Sequence, residues 1–139
     1  MRFWDSSAVI PLIVKQVGSE RADEWLTVDA DVVLWTLTPV EITSALWRLV
    51  RENVLGEEDA QRAEERAREL AAASRTVIDV EAVKAVAERL LRVHVLRAAD
   101  ALQLGAALVW SAGRPQGRIL YTLDDRLARA ARREGFEVP

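Results

Sequence analysis

The chain has 139 residues, half of them hydrophobic, and carries 22 acids against 19 lysines and arginines, a formal net charge of −3. That length suits one domain over residues 1–139 with a sizeable core. The lack of cysteine excludes a disulfide framework and thiolate metal sites, and a single histidine, His94, is too few for a multi-His zinc site. An acidic balance argues against binding nucleic acid over a general basic surface, so any such contact must run through a local patch or a metal. No apolar run approaches the ~20 residues of a bilayer span. One arginine before Asp5 does not make a signal peptide, so a cytoplasmic place is expected and no membrane.

In chain order, "RFW" (2–4) is a short strand and "SSAVIPLIV" (6–14) a helix in which Pro11 is tolerable only near the first turn or at a kink. "SERADEWL" (19–26) is a helix with Ser19 as its N-cap. "DVVLWTL" (31–37) is a buried strand, rich in β-branched and aromatic residues. "PVEITSALWRLVREN" (39–53) is an amphipathic helix, and beyond Gly56 follows a charged helix (57–74) whose apolar stripe, Ala60, Ala63, Ala67, Leu70 and Ala71, is mostly small. "TVIDV" (76–80) is extended, 81–94 is a helix, and "RAADALQLGAALVWSAG" (97–113) is a more apolar helix. "RILYTL" (118–123) is a strand, "DDRLARAARREG" (124–135) a helix stopped by Gly135, and "FEV" (136–138) a last edge strand. Strands alternating with helices predict an α/β fold, a mostly parallel sheet with helices on both faces.

In such a sheet, chemistry gathers outside the carboxyl ends of the strands. Asp5 follows the first strand, Glu41 lies in the first turn after the second, and Asp124 follows "RILYTL". Asp100 sits instead near the start of an apolar helix, where an acid is costly unless something offsets its charge. Each has an ordinary alternative. Asp5, Ser6 or Ser7 could cap the first helix, and Asp124 or Asp125 the last. Thr38-Pro39-Val40-Glu41 matches a capping box, and Asp100 could serve the helix macrodipole. Taken together the acids suggest more. Like charges that converge repel, and carboxylates without histidine or thiolate suit a hard cation, Mg²⁺ or Mn²⁺, of the kind that works on phosphate esters.

The segments "DSSAV", "TPVEITSALWRL", "LRAADALQLGAAL" and "YTLDDRLARAARREGF", in this order, resemble the PIN-domain ribonucleases, and among them the VapC-type toxins of toxin–antitoxin pairs. The resemblance spans nearly the whole chain. It implies a three-layer α/β/α sandwich and a metal-dependent endoribonuclease. The acids at Asp5 and Asp100 would bind metal, with Glu41 and Asp124 completing the cluster. Asp125 is adjacent, and the spacing of Thr122 and Asp124 favours Asp124 over it. Glu41, or a water it orients, would help remove a proton from the attacking water. Ser7 and Thr122 would orient the acids, with helix capping the ordinary role for Ser6. Gln103 stands where relatives often carry histidine, which would leave the metal cluster untouched. The resemblance also implies an RNA substrate, a VapB-like antitoxin gripped by the region from Pro39 to about Ala73, and a homodimer. Two other functions stay in play: a PIN nuclease with a housekeeping role in RNA processing, and a receiver-like regulatory domain with an acidic pocket. The receiver reading wants paired acids after the first strand and a late lysine, and the chain has neither.

His94 is expected at a surface or a helix C-terminus rather than as a general base. The five tryptophans are expected in packing, Trp4 and Trp35 within strands. Arg126, Arg129, Arg132 and Arg133 on the last helix form either a solvated face or a track for an RNA backbone. The small stripe of 57–74 either packs within the chain or admits another helix.

Overall fold

A computed structural model describes all residues, Met1–Pro139. Four short strands, β1 (Arg2–Trp4), β2 (Val32–Trp35), β3 (Arg75–Val77) and β4 (Leu120–Tyr121), form one sheet in the order β3-β2-β1-β4. Every pairing is parallel, with Phe3 opposite Val33 on one side and Leu120 on the other. Alternate residues of a strand point to opposite faces. Phe3, Val33 and Trp35 therefore enter one core, and Trp4, Val32 and Leu34 enter the other. Because both faces are covered, β2 is apolar throughout instead of alternating.

Helices α1 (Ser6–Ile13), α2 (Ser19–Val28), α3 (Thr38–Arg51) and α4 (Glu57–Ala73) cover the Trp4 face. Helices α5 (Val80–Val93), α6 (Ala98–Trp110) and α7 (Asp125–Glu134) cover the Phe3 face. This is the expected three-layer α/β/α sandwich. Gly105 lets α6 approach α5 closely, since a Cβ there would stand 3.1 Å from the Val83 carbonyl oxygen. Gly135 ends α7 in the left-handed region, at φ 107°. No helix is long and apolar enough to cross a membrane.

The chain leaves β1 towards β2 on one side and reaches β4 on the other, so the sheet has its switch point at β1 and β4. Below that point lies an aromatic floor. Tyr121 stacks on Trp25 at 4.4 Å between ring centroids and meets Trp4 edge-on at 4.8 Å. Such pairs add roughly 0.5–1.5 kcal/mol each beyond the area they bury. The floor holds rigid the two residues that precede Asp5 and Thr122.

Several local expectations need correction. Pro11 lies inside α1, past its first turn, where it removes one ladder hydrogen bond. Ser19 is not an N-cap: Gly18 holds that place, and the Ser19 hydroxyl donates to the Pro11 carbonyl at 2.8 Å. The expected "FEV" strand reduces to a single bridge between Ile119 and Glu137. The His94 side chain is buried rather than at the surface, although His94 does cap the C-terminus of α5. Its Nε2 lies 2.7 Å from Glu134 Oε1, and its side chain is only 5% exposed. Of the two readings open for the alanine stripe of α4, the structure shows packing within the chain, with Ala60 and Ala63 fully buried.

Candidate active site

Three of the four candidate acids, Glu41, Asp100 and Asp124, line one pocket of about 530 Å³ together with Ser6 and Ser7. Asp5 lies beneath it, 3% exposed.

Asp5 caps α1, accepting from the Ser7 amide at 3.2 Å. The same oxygen, Oδ2, accepts from the Ser7 hydroxyl and from Thr122 Oγ1 at 2.9 Å. Each hydroxyl has one proton to give. With both protons directed to Asp5, the 3.1 Å approach of Ser7 Oγ to Thr122 Oγ1 is a contact rather than a hydrogen bond. Both hydroxyls also accept: Ser7 Oγ from the Leu123 amide at 2.9 Å, and Thr122 Oγ1 from the Asp124 amide at 3.0 Å. Two short polar side chains thus tie the β1–α1 junction to the β4–α7 junction. Burial lifts the Asp5 carboxyl above the usual carboxylate range. The bonds from Ser7 and Thr122 oppose the rise, and the charge of Asp100 adds to it.

Glu41 corrects the capping-box expectation. Helix α3 begins one residue earlier than the motif implies, with Leu37 at the N-cap and Thr38 fully buried inside the helix. Thr38 makes no cap bond; its hydroxyl accepts from Gln103 Nε2 at 3.1 Å. Glu41 is thereby free of the backbone. Its Oε2 accepts from Ser6 Oγ at 2.8 Å and its Oε1 from Gln103 Nε2 at 3.2 Å. Burial, with the charges of Asp5 and Asp100 added, raises the Glu41 pKa from 4.5 to about 6. Ser6 stands 3.3 Å from Asp5 Oδ1 as well, but its single proton goes to the nearer Glu41.

Asp100 is the third residue of α6 and half-buried. Burial raises its pKa, and the charge of Asp124 raises it further, while Arg97 and Arg126 pull it down. Asp124 caps α7 through a 2.8 Å bond from the Leu127 amide. Asp125 is exposed and absent from this pocket, whereas Asp124 lines it. Asp5 and Asp124 thus cap their helices while lying at or beside the pocket. The cap bond is what fixes each carboxylate in place.

Two participants were undervalued in the sequence. Gln103, expected to leave the cluster untouched, is fully buried and holds Glu41 directly. The signal was its spacing: three residues beyond Asp100, a polar side chain on the same face of an apolar helix. Ser6 donates to Glu41 in addition to opening α1.

None of the four acids forms an ion pair with a lysine, arginine or histidine. The charge gathered here is offset by hydrogen bonds and, at Asp100, by the more distant Arg97 and Arg126. An all-oxygen donor set with uncompensated charge fits a hard divalent cation. No three of these side chains close around a single point. That arrangement still suits Mg²⁺, which keeps several waters and takes one or two carboxylates together with substrate phosphate oxygens.

The sequence matches the family model of the PIN domain over residues 2–133. It is 33% identical over 137 residues to Ribonuclease VapC45 of Mycobacterium tuberculosis, covering 98% of this chain and 92% of that protein. Among solved structures, FitAcB from Neisseria gonorrhoeae superposes with a TM-score of 0.67 at 20% identity, covering 99% of this chain and 96% of the other. PAE2754 from Pyrobaculum aerophilum gives 0.63 at 22% identity, covering 99% and 87%. These likenesses leave no place for the receiver-like alternative.

Proposed function

The chain belongs to the PIN-domain family, with VapC-type ribonucleases among its relatives, and on that premise we propose that it is a metal-dependent endoribonuclease acting as the toxin of a toxin–antitoxin pair. The observation that carries the reading is a pocket lined by three carboxylates without ion pairs, Glu41, Asp100 and Asp124, next to the buried Asp5 at the carboxyl end of β1. Asp5, Asp100 and Asp124, with Glu41, would hold Mg²⁺ or Mn²⁺. When bound, such a cation supplies Lewis acidity toward the phosphodiester and neutralises charge on it.

The protein's own residues do the rest. Ser7 and Thr122 hold Asp5 in one orientation through its Oδ2. Ser6 and Gln103 hold Glu41 with one donor on each oxygen, leaving each a further lone pair for a water in the pocket. A carboxylate with a pKa of about 6 suits a proton acceptor near neutral pH. Water forms the new P–O bond as it passes its proton to Glu41, directly or through a second water. The P–O bond to the leaving nucleotide breaks, and that oxygen takes a proton from solvent. No side-chain nucleophile takes part.

The partner we propose is a VapB-like antitoxin seated along residues 39–73, beside the pocket. Val40, 64% exposed, offers it apolar surface at the rim. A basic side chain from the antitoxin, set among the acids, would compete with the cation there. The protein would act in the cytoplasm and as a homodimer.

Expression of the chain alone in a bacterial host tests the toxin role. Growth should stop, Asp5→Asn should relieve the arrest, and co-expression of the antitoxin should restore growth. A chain that cleaves RNA without arresting growth would favour the housekeeping role. Equal arrest by the Asp5→Asn variant would remove the carboxylate pocket from the explanation.

A further inference from the structure

The four arginines singled out on α7 divide in the structure. Arg132 donates to the Val138 carbonyl at 2.8 Å, against the chain's own end. Arg126, Arg129 and Arg133 instead line a separate groove of about 320 Å³ with His94, Val95 and Ala130. Their spacing, i, i+3 and i+7, keeps them on one side of the helix over ~10 Å at 1.5 Å per residue. All three are exposed, and none forms an ion pair. Three unpaired cations in one concavity are unusual on a chain of net charge −3. Glu134 lies nearby on the same helix, but its carboxylate is taken up by Arg89 at 2.7 Å and His94 at 2.7 Å.

The groove also has a direction. At its near end, Arg126 lies in the first turn of α7, two residues beyond Asp124, which caps that helix and lines the carboxylate pocket, so the first arginine stands beside the acids. From there the line of arginines leads away along α7.

We infer that this groove holds the sugar–phosphate backbone of single-stranded RNA on one side of the scissile bond. Arg126, Arg129 and Arg133 would each take a phosphate as the strand leaves the carboxylate pocket. Arginine suits this because its planar fork matches phosphate oxygens and never loses its charge. The one ring in the groove, His94, is 5% exposed and held by Glu134, so no aromatic face is open for a base to stack on, and the apolar residues are only Val95 and Ala130. The groove therefore holds the strand without reading its sequence. The same sparse apolar lining disfavours an acidic peptide, which would need pockets for apolar anchors. The inference rests on the ribonuclease reading and assigns that reading's substrate a path.

The test is equilibrium binding of end-labelled single-stranded RNA by fluorescence anisotropy over a series of salt concentrations. EDTA keeps the strand intact. Removing one arginine–phosphate pair should flatten the slope of log K against log salt by about 0.7. Arg129→Gln and Arg133→Gln should each show that change, equally for two unrelated sequences, and Arg129→Lys should recover most of it. Arg68→Gln, the same charge change on α4 across the sheet, should leave the slope unchanged.

Slopes equal to wild type in both groove variants would overturn the proposal. So would an equal effect of Arg68→Gln, a loss confined to one sequence, or wild type that binds no RNA. Normal RNA binding with loss of antitoxin binding would make the groove a protein surface and end the proposal. The two readings fail differently. Without ribonuclease activity, wild type would cleave nothing while the pattern of slopes persists. Without the groove, wild type would cleave while both variants bind normally.

Discussion

Replacing Glu41 by glutamine keeps the shape of the side chain and removes its charge. In the folded, metal-free protein, burial and the charges of Asp5 and Asp100 raise the pKa of this carboxyl from 4.5 to about 6. A raised pKa means that the folded state binds the proton more tightly than the unfolded state does. Below pH 4.5 the group is neutral in both states and costs nothing. Between pH 4.5 and 6 the penalty grows, and above pH 6 the fold carries all of it. At about 1.4 kcal/mol per tenfold change in proton affinity the penalty is ~2 kcal/mol. Glu41 is partly open to water, and screening brings the expected gain from E41Q at pH 8 to about 1 kcal/mol. For a domain of this size that raises the melting temperature by roughly 3–5 °C. The hydrogen bonds survive the change. Gln103 Oε1 is buried without a partner, so the Gln103 amide can turn over and present an acceptor to the new NH₂ group. Thermal melts of metal-free wild type and E41Q, followed by circular dichroism at pH 4 and pH 8, read the difference directly. The variant should melt higher than wild type at pH 8 and equal to it at pH 4. Equal destabilisation at both pH values would show that Glu41 is a structural anchor for Ser6 and Gln103, and would refute the charge argument.

Asp100→Asn should abolish RNA cleavage yet leave the metal-free protein as stable as wild type or more so. Mg²⁺ or Mn²⁺ should raise the melting temperature of wild type more than that of the variant, because only a folded-state ligand stabilises; an unfolded variant would instead mark Asp100 as a structural residue. Thr122→Val removes a hydrogen bond to the buried Asp5 carboxyl and should cost about 1–3 kcal/mol by denaturant titration. The bond removed is one that lowers the Asp5 pKa, so the acid limb of the cleavage profile should move to higher pH. An unmoved limb with an unchanged midpoint would show that Thr122 does not orient Asp5.

The parallel sheet and its helices were legible because the apolar periods were clean: β2 apolar throughout, α4 carrying its small stripe at helical spacing. Asp5 and Asp124 were legible for the same reason, since a residue that ends a strand and caps a helix is placed by the backbone. Glu41 was harder. Thr-x-x-Glu carries the same letters whether Thr38 caps the helix or is buried inside it, and what decides is Gln103, 65 residues away on α6. His94 shows the same limit. Its place at the end of α5 follows from local pattern, whereas its burial depends on Glu134 on another helix. The arginines of α7 divide because Arg132 meets the chain's last residues, a contact that the period of the helix does not contain.

Whether the four carboxylates form a ribonuclease site is open to one direct measurement. Purified protein should be incubated with single-stranded RNA in Mg²⁺ or Mn²⁺, in EDTA, and beside the Asp5→Asn variant. Cleavage by wild type with the cation, and neither with EDTA nor by the variant, is the predicted result. Cleavage that persists in EDTA, or that the Asp5→Asn variant performs as well as wild type, would contradict it.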